Sequence, residues 1–347
     1  MPTGLLMHST GSRYQVRGED GTLHDCIAKG KLRTKGYTST NPLAVGDVVE
    51  FEPAAELVGK ELVGAITQLH ERRNYLVRKA VNLSHHKHVI ASNMDQCLVL
   101  VTVARPFTSF GFIDRVLVTA EAYNIPPVII FNKVDDLGDD EFGLLAEYEE
   151  VYQGAGYRTL ITSALKGTGL ADVKELLRGK TSLLVGHSGV GKSTLVNAID
   201  PSLDLHTWEV SASTEKGQHT TTAAQMFELQ LSVVSGQLSV DSCQLPGAGR
   251  RTPDNEQLTT DNHAPSFIID TPGVKGFGLV DLEQEVIVDQ FPEFFKRKGE
   301  CRFGNCTHIN EPGCAVLEAV ESGAIAASRY NSYLDMVEGV DEESSYR

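Results

Sequence analysis

The sequence predicts a multidomain protein: an N-terminal OB-type β-barrel, a central α/β domain and a C-terminal helical domain. Three observations predict this order. Short strand-like stretches fill the first 80 residues, apolar strands then alternate with helical patterns, and a cluster of cysteines and histidine follows. A chain of 347 residues is also too long for one ordinary domain. We place the domains at residues 1–80, 81–287 and 288–347.

Composition excludes several classes of protein. The contents of 41% hydrophobic and 22% charged residues are those of a globular protein. No run of 18 apolar residues and no signal-peptide pattern occurs, so we expect a cytoplasmic protein with no membrane partner. Six cysteines are too few for a disulfide framework. The net charge of −15 is uneven, because the first 90 residues hold 12 Lys/Arg against 9 Asp/Glu. The negative charge of the whole chain therefore does not exclude a nucleic-acid-binding surface in this region.

The N-terminal region has the pattern of a small barrel. Strand-like stretches occupy residues 12–17, 22–28, 48–51 and 62–69. Asp20-Gly21 between the first two is a strong hairpin signal. Five or so short strands in this length predict a closed barrel of the OB type.

Basic residues recur at every second position within this region. They are Lys29, Lys31, Arg33 and Lys35. In an extended segment they would share one face, either as an RNA-facing surface or as a solvated edge strand. Basic residues continue through 72–88, which we interpret as a linker, and this favours the RNA-facing surface.

From Asp95 the pattern becomes that of a doubly wound sheet. Residues 96–104 and 127–131 are continuous apolar runs, typical of strands covered on both faces. Further strands are predicted at 157–162, 183–185 and 266–269, and helices at 112–123, 141–152, 171–177 and 194–198. In such sheets ligands bind at the carboxyl ends of the strands.

A phosphate-binding loop lies between one of these strands and the following helix. Residues 186–193 fit G-x-x-x-x-G-K-[ST]. Glycines let backbone N–H groups surround a phosphate, and the helix N-terminus adds further donors. Lys192 should reach the β- and γ-phosphates, and Ser193 should ligate Mg²⁺. The candidate nucleotide-binding residues here are Gly186, His187, Ser188, Gly189, Val190, Gly191, Lys192, Ser193 and Thr194.

A second motif selects the base. The residues Asn132, Lys133, Val134 and Asp135 follow a buried strand as N-K-x-D. The Asp135 carboxylate can accept from N1–H and the 2-amino group of guanine, which adenine cannot supply there. Ser163 and Ala164 would supply a backbone donor to guanine O6. With a complete phosphate loop in the same domain, the motif predicts GTP/GDP.

Three further elements predict a magnesium site and a switch. Asp270 and Gly273 belong to Asp-Thr-Pro-Gly, in which the carboxylate should hold Mg²⁺ through water and the Gly273 N–H should contact the γ-phosphate. A threonine of the segment 220–222 should ligate Mg²⁺. We assign Thr221, with its two neighbours as alternatives.

The catalytic candidates are Lys192, Thr221 and His219. Val274 stands where many GTPases have a water-orienting glutamine, and valine cannot bind water. His219 is our candidate for that task, and a loop histidine with no role is the alternative.

A zinc knuckle is predicted near the C-terminus. Cys301, Cys306, His308 and Cys314 match a closed tetrahedral site for one structural Zn²⁺. Helices are expected at 314–321 and 328–337. Cys26 and Cys97 are expected to be buried apolar residues.

The order of the motifs is unusual, because N-K-x-D and Ser-Ala precede the phosphate loop. With the barrel and the Cys₃His knuckle, the sequence resembles the ribosome small subunit-dependent GTPase A family over nearly its whole length. The resemblance implies a circularly permuted GTPase. It also implies a late assembly factor of the small ribosomal subunit that binds rRNA, is stimulated by the subunit and leaves on GTP hydrolysis.

An alternative function, one departure from the family pattern and the oligomeric state complete the expectations. The alternative is a signalling-type GTPase with a protein partner, which would usually keep the ordinary motif order. Residues 229–264 depart from the family pattern and are predicted to form a disordered surface insertion. A monomer is the default expectation.

Overall fold

The computed structural model describes residues 1–29, 32, 42–58, 61–79, 87–205, 224–231, 264–270 and 284–339. The N-terminal strands are β1 (Thr3–Ser9), β2 (Tyr14–Gly18), β3 (Leu23–Ala28), β4 (Val48–Val58) and β5 (Glu61–Leu69). They follow one another in the order β1-β2-β3-β5-β4, and β1 also pairs with β4, which closes the barrel. The predicted five-stranded barrel is confirmed.

Two predictions in this region are wrong. The segment taken as a linker contains an antiparallel hairpin of β6 (Tyr75–Lys79) and β7 (Lys87–Ser92). Leu32 is buried and helical, and its N–H donates to the carbonyl of Lys29, so Leu32 does not have the extended conformation expected for it. Lys31, Arg33 and Lys35 lie outside the described residues.

Some of the basic residues assigned to an RNA-facing surface form ion pairs with acids of the protein itself. Arg72 Nε lies 2.6 Å from the buried Asp47 carboxylate. Arg73 pairs with Asp95 at 2.8 Å, and Lys29 pairs with Glu52 at 2.8 Å. Sequence spacing alone showed the cations but not the acids that neutralise them.

The central domain is the expected doubly wound sheet. Its elements are β8 (Gln96–Val101), α1 (Phe110–Ala122), β9 (Pro127–Phe131), α2 (Asp139–Ala155), β10 (Arg158–Ile161), α3 (Leu170–Leu177), β11 (Thr181–Val185), α4 (Lys192–Ile199), β12 (Gln225–Leu229) and β13 (Ser266–Asp270). The strand order is β10-β9-β8-β11-β13-β12. All neighbours are parallel except β12, which runs antiparallel to β13. A pairing of β12 with β1 joins this sheet to the barrel.

The sheet is buried on both faces, as its apolar strands predict. Val99 and Val101 of β8 belong to one hydrophobic core, and Leu98 and Leu100 belong to the other. Both predicted cysteines are buried: Cys26 is 1% exposed and Cys97 is 0% exposed.

The C-terminal domain is helical, as predicted. Its helices are α5 (Gln284–Asp289), α6 (Pro292–Phe295), α7 (Ala315–Glu321) and α8 (Ala327–Glu338). Their core contains Phe291, Phe294 and Tyr333, and it also includes Val118 from α1. Helix α1 therefore contributes to both the central and the C-terminal cores. None of the helices in the described part of the chain has the length and apolar character that a membrane span requires.

A buried ion-pair network joins the two domains. Arg329 of α8 is 1% exposed, and its guanidinium contacts Asp114 of α1 at 2.7 Å. The same guanidinium binds both carboxylate oxygens of Glu293, at 2.7 and 3.2 Å. Its Cζ lies 4.5 Å from the centre of the Phe291 ring. Since all three charges are removed from water, the network holds α8 at one place on α1.

Candidate functional site

The predicted nucleotide-binding motifs meet at one edge of the central sheet. Strands β8, β9, β10, β11 and β13 are parallel, so their carboxyl ends lie together. Val185 pairs with Val99, and Phe131 pairs with Val101 and Ile161, so the loops that follow β8, β9, β10 and β11 begin side by side. Asp270, the last residue of β13, pairs with Leu184 just before the phosphate loop.

The phosphate loop runs from Gly186 into the first turn of α4. A Cβ at Gly186 would lie 2.3 Å from the carbonyl oxygen of Leu100, so only glycine fits there. Gly191 has φ of +97°, and a Cβ there would lie 2.6 Å from the side-chain nitrogen of Asn132. The Lys192 ammonium donates to the carbonyls of Gly186 and His187 at 2.8 and 2.9 Å. Its charge therefore lies against the loop that precedes it.

Asn132 joins the three recognition loops. Its side chain is buried at 3% exposure. Its Nδ2 donates to the carbonyl of Val190 at 2.9 Å, and its Oδ1 accepts from the Ala164 N–H and from the Thr162 hydroxyl, both at 3.1 Å. One amide thus fixes the base-reading loop against the phosphate loop and against the Ser-Ala loop.

Lys133 and Asp135 of the base-reading motif are less buried than Asn132. Lys133 has φ of +64°, and its ammonium donates to the carbonyl of Arg105 at 2.9 Å. Asp135 is exposed, and its carboxylate accepts from the Ser163 hydroxyl. The Ser163 N–H donates to Thr168, and the Ala164 N–H donates to Asn132. To donate to guanine O6, the Ala164 N–H would have to give up or share its bond to Asn132 Oδ1.

Part of the predicted magnesium and catalytic set lies outside the described residues. Ser193 occupies the first turn of α4, which follows β11, and Asp270 ends β13, the strand that pairs directly with β11. His219, Thr221 and Gly273 fall in undescribed segments, as does most of the predicted insertion. The roles assigned to them stay predictions.

The four predicted zinc ligands are brought together. The ligand atoms of Cys301, Cys306, His308 and Cys314 all lie within 4.8 Å of one another. His308 Nδ1 is 3.6 Å from Cys301 Sγ and 3.3 Å from Cys314 Sγ, and these two sulfurs are 3.9 Å apart. A tetrahedron with Zn–S bonds of about 2.3 Å and a Zn–N bond of about 2.0 Å has edges of roughly 3.5–3.8 Å. The cluster is therefore compatible with zinc.

The C-terminal helix and an acid support the loop that carries the cluster. Tyr330 and Tyr333 of α8 donate from their hydroxyls to the carbonyls of His308 and Thr307, at 2.9 and 2.6 Å. The Glu311 carboxylate accepts from the Thr307 and Ile309 N–H groups at 2.7 and 3.0 Å. Burial raises the pKa of the Cys306 thiol to about 12, so a bound cation would be needed to hold it as thiolate.

Family models match both the barrel and the nucleotide-binding region. The RsgA N-terminal domain matches residues 3–59, and the RsgA GTPase domain matches residues 69–242. The chain belongs to the RsgA GTPase family. The guanine-specific motif agrees with membership of a GTPase family, and membership implies GTP/GDP and Mg²⁺ as ligands.

Curated relatives and solved structures cover nearly the whole chain. A protein of Christiangramia forsetii named small ribosomal subunit biogenesis GTPase RsgA is 47% identical over 99% of this chain and 98% of its own. A protein of the same name from Flavobacterium psychrophilum is 44% identical over 98% and 94%. The crystal structure of YjeQ from Thermotoga maritima is similar with a TM-score of 0.71, at 30% identity and 98% coverage of each chain.

A second solved structure bears on the motif order. YloQ, titled a circularly permuted GTPase, matches with a TM-score of 0.66 at 25% identity, covering 99% of this chain and 96% of its own. The RsgA family and this neighbour agree with the permuted order predicted from the sequence.

Sequence reasoning missed Arg105 and Arg329. Arg105 lies in the loop after the buried strand β8, at the edge of the sheet where the motifs meet. That position could have indicated a role for Arg105 in the site. Arg329 lies among polar residues of a helix and pairs with a residue 215 positions away. No local pattern could have found that pair.

Proposed function

We propose that this chain hydrolyses GTP as a biogenesis factor of the small ribosomal subunit, the role that the names of its relatives give to those proteins. The observation that carries the guanine-nucleotide site is the buried Asn132 amide, which binds Val190 and Ala164 at once. This places the base-reading and phosphate-binding loops side by side, as one nucleotide requires.

The residues of the site take different tasks in this proposal. Asp135 accepts from the guanine edge while the Lys133 stem covers the base. Backbone N–H groups of residues 186–194 and the Lys192 ammonium bind the phosphates. Ser193, Asp270 and a threonine of 220–222, for which Thr221 is our choice, hold Mg²⁺ directly or through water. The magnesium ion neutralises charge on the phosphates.

The remaining parts serve the ribosomal partner. We infer that the barrel and the zinc domain contact rRNA, that the zinc is structural, and that the protein acts as a cytoplasmic monomer. The four ligands of the Cys₃His cluster leave no open position for a reacting water, which favours the structural role.

Two measurements test the proposal. Calorimetry with Mg²⁺ should show tight binding of GTP and GDP and no comparable binding of ATP. GTP turnover should rise strongly when purified small subunits are added. Equal affinity for ATP would overturn the guanine assignment, and stimulation by another protein alone would favour a signalling GTPase.

The candidate role of His219 has its own test. If its imidazole positions the attacking water, His219→Ala should lower subunit-stimulated turnover and leave the affinity for GTP unchanged. An unchanged stimulated rate would remove His219 from the catalytic set.

A further inference from the structure

Arg105 is bound to the base-reading loop through its side chain. The guanidinium Nε lies 2.8 Å from an Asp136 carboxylate oxygen. Its two terminal nitrogens contact the two carboxylate oxygens of Glu141, at 2.6 and 2.8 Å. Asp136 directly follows the guanine-reading Asp135, and Glu141 caps α2 by accepting from the Gly138 N–H at 2.9 Å. The guanidinium therefore holds the loop on the far side of Asp135.

The backbone of the same residue holds the near side. The carbonyl oxygen of Arg105 accepts from the Lys133 ammonium at 2.9 Å. Lys133 precedes Asp135 by two residues, and Asp136 follows it by one. One residue on the loop after β8 thus contacts the base-reading loop on both sides of the carboxylate.

We propose that Arg105 is a positioning residue for guanine selectivity, which fixes the direction of the Asp135 carboxylate toward the base. This inference rests on the guanine site proposed above. The Arg105 guanidinium does not touch the base itself. It restricts the backbone from Lys133 to Asp136 before the nucleotide binds. Binding of the 2-amino group by the Asp135 carboxylate then costs less conformational entropy.

The electrostatics of the contact distinguish positioning from stabilisation. Arg105 is 54% exposed and Asp136 is 57% exposed. Exposed ion pairs add little to the stability of a fold, and salt screens them. The Arg105 guanidinium lowers the pKa of Glu141 to about 2, so the pair stays charged at neutral pH. An effect of Arg105 should therefore appear in nucleotide selectivity, and salt should weaken it.

The test compares GDP with IDP, whose base lacks the 2-amino group. Dissociation constants for both are measured on full-length wild type, Arg105→Ala, Arg105→Lys and the control Arg178→Ala, at low and high salt. Arg178, which directly follows α3 and is 25% exposed, pairs with Glu175 at 3.1 Å. We expect Arg105→Ala to reduce the GDP preference over IDP about three- to fivefold, because exposed ion pairs hold the loop only with the modest free energy that they supply.

The variants should differ in a defined order. Lysine cannot bridge both carboxylates, so Arg105→Lys should recover little of the preference. High salt should lower the wild-type preference toward that of Arg105→Ala, and Arg178→Ala should match wild type. Glu141→Gln should lower the preference in wild type and add little in Arg105→Ala.

The two proposals fail differently. If Arg105→Ala weakens GDP and IDP equally, or changes only the melting temperature, Arg105 does not position Asp135. If wild type itself binds ADP as tightly as GDP, the guanine site is wrong and the fault lies in the proposed function.

Discussion

Replacing Arg329 with methionine should loosen the contact between the central and C-terminal domains. Methionine keeps an unbranched side chain, and it removes the guanidinium whose Cζ lies 4.5 Å from the centre of the Phe291 ring. Asp114, at 0% exposure, and Glu293, at 7%, would then lose their common partner. Removing one partner from a buried ion pair costs about 3–5 kcal/mol, because the remaining charge is left without compensation.

The structure also ranks the related variants. Asp114→Asn leaves both bonds between Arg329 and Glu293 in place, at 2.7 and 3.2 Å, so its cost should be smaller, about 1–3 kcal/mol. A surface control is Arg178→Met, whose partner Glu175 is 74% exposed. That change should cost no more than about 0.5 kcal/mol.

Native-state hydrogen exchange measures these costs without assuming that the whole chain unfolds at once. In Arg329→Met, amides of α1 and α8 should exchange roughly 10²- to 10⁴-fold faster, the equivalent of the expected free energy. Burial raises the pKa of Asp114 even beside Arg329. The charge of Arg329 lowers that pKa, so its removal raises the pKa further. A higher pKa in the folded state makes stability fall more steeply as pH rises, so the deficit of the variant should be larger at pH 8 than at pH 5.

Either of two results would refute this role of the Arg329 network. Exchange in α1 and α8 that matches the Arg178→Met control would show that the network contributes nothing to docking. A deficit that shrinks as pH rises would show that buried carboxylates are not its cause.

Three further predictions concern the nucleotide and metal sites. Asn132→Ala leaves buried backbone groups of two loops without their partner, so the GDP dissociation constant measured by calorimetry should rise by at least about tenfold. Gly186→Ala places a Cβ against the carbonyl of Leu100, so nucleotide binding should be lost while circular dichroism stays native. Cys306→Ser should lower the zinc content found by metal analysis and reduce helical signal, whereas Cys26→Ser should keep one zinc per chain.

The sequence was informative where one stretch of chain decides its own structure. Residues 127–131 were predicted as a strand and form β9 with the same bounds, because four consecutive apolar residues between Pro127 and Asn132 allow little else. The motif-bearing loops were placed correctly at strand ends for the same reason. Their chemistry depends on residues that are close in sequence.

What the sequence did not reveal depends on distant partners. Strand β1 was not predicted, because its residues Thr3–Ser9 become a strand by pairing with β2, β4 and β12, which lie far apart in the chain. Arg72 was interpreted as part of a basic surface, but it binds Asp47, which is 25 positions away. Spacing shows which charges are near in sequence, and only folding shows which are near in space.

Two physical connections join the nucleotide site to the C-terminal domain, and the permuted order supplies one of them. One is covalent, because β13 ends at Asp270 and α5 begins at Gln284, with residues 271–283 between them. The other is packed, through α1. Phe112 lies in the first turn of α1, and the centre of its ring is 3.6 Å from the centre of the His187 ring in the phosphate loop. Val118, further along α1, belongs to the C-terminal core. In an unpermuted chain the segment after Asp270 would continue within the same domain, so only the packed connection would remain.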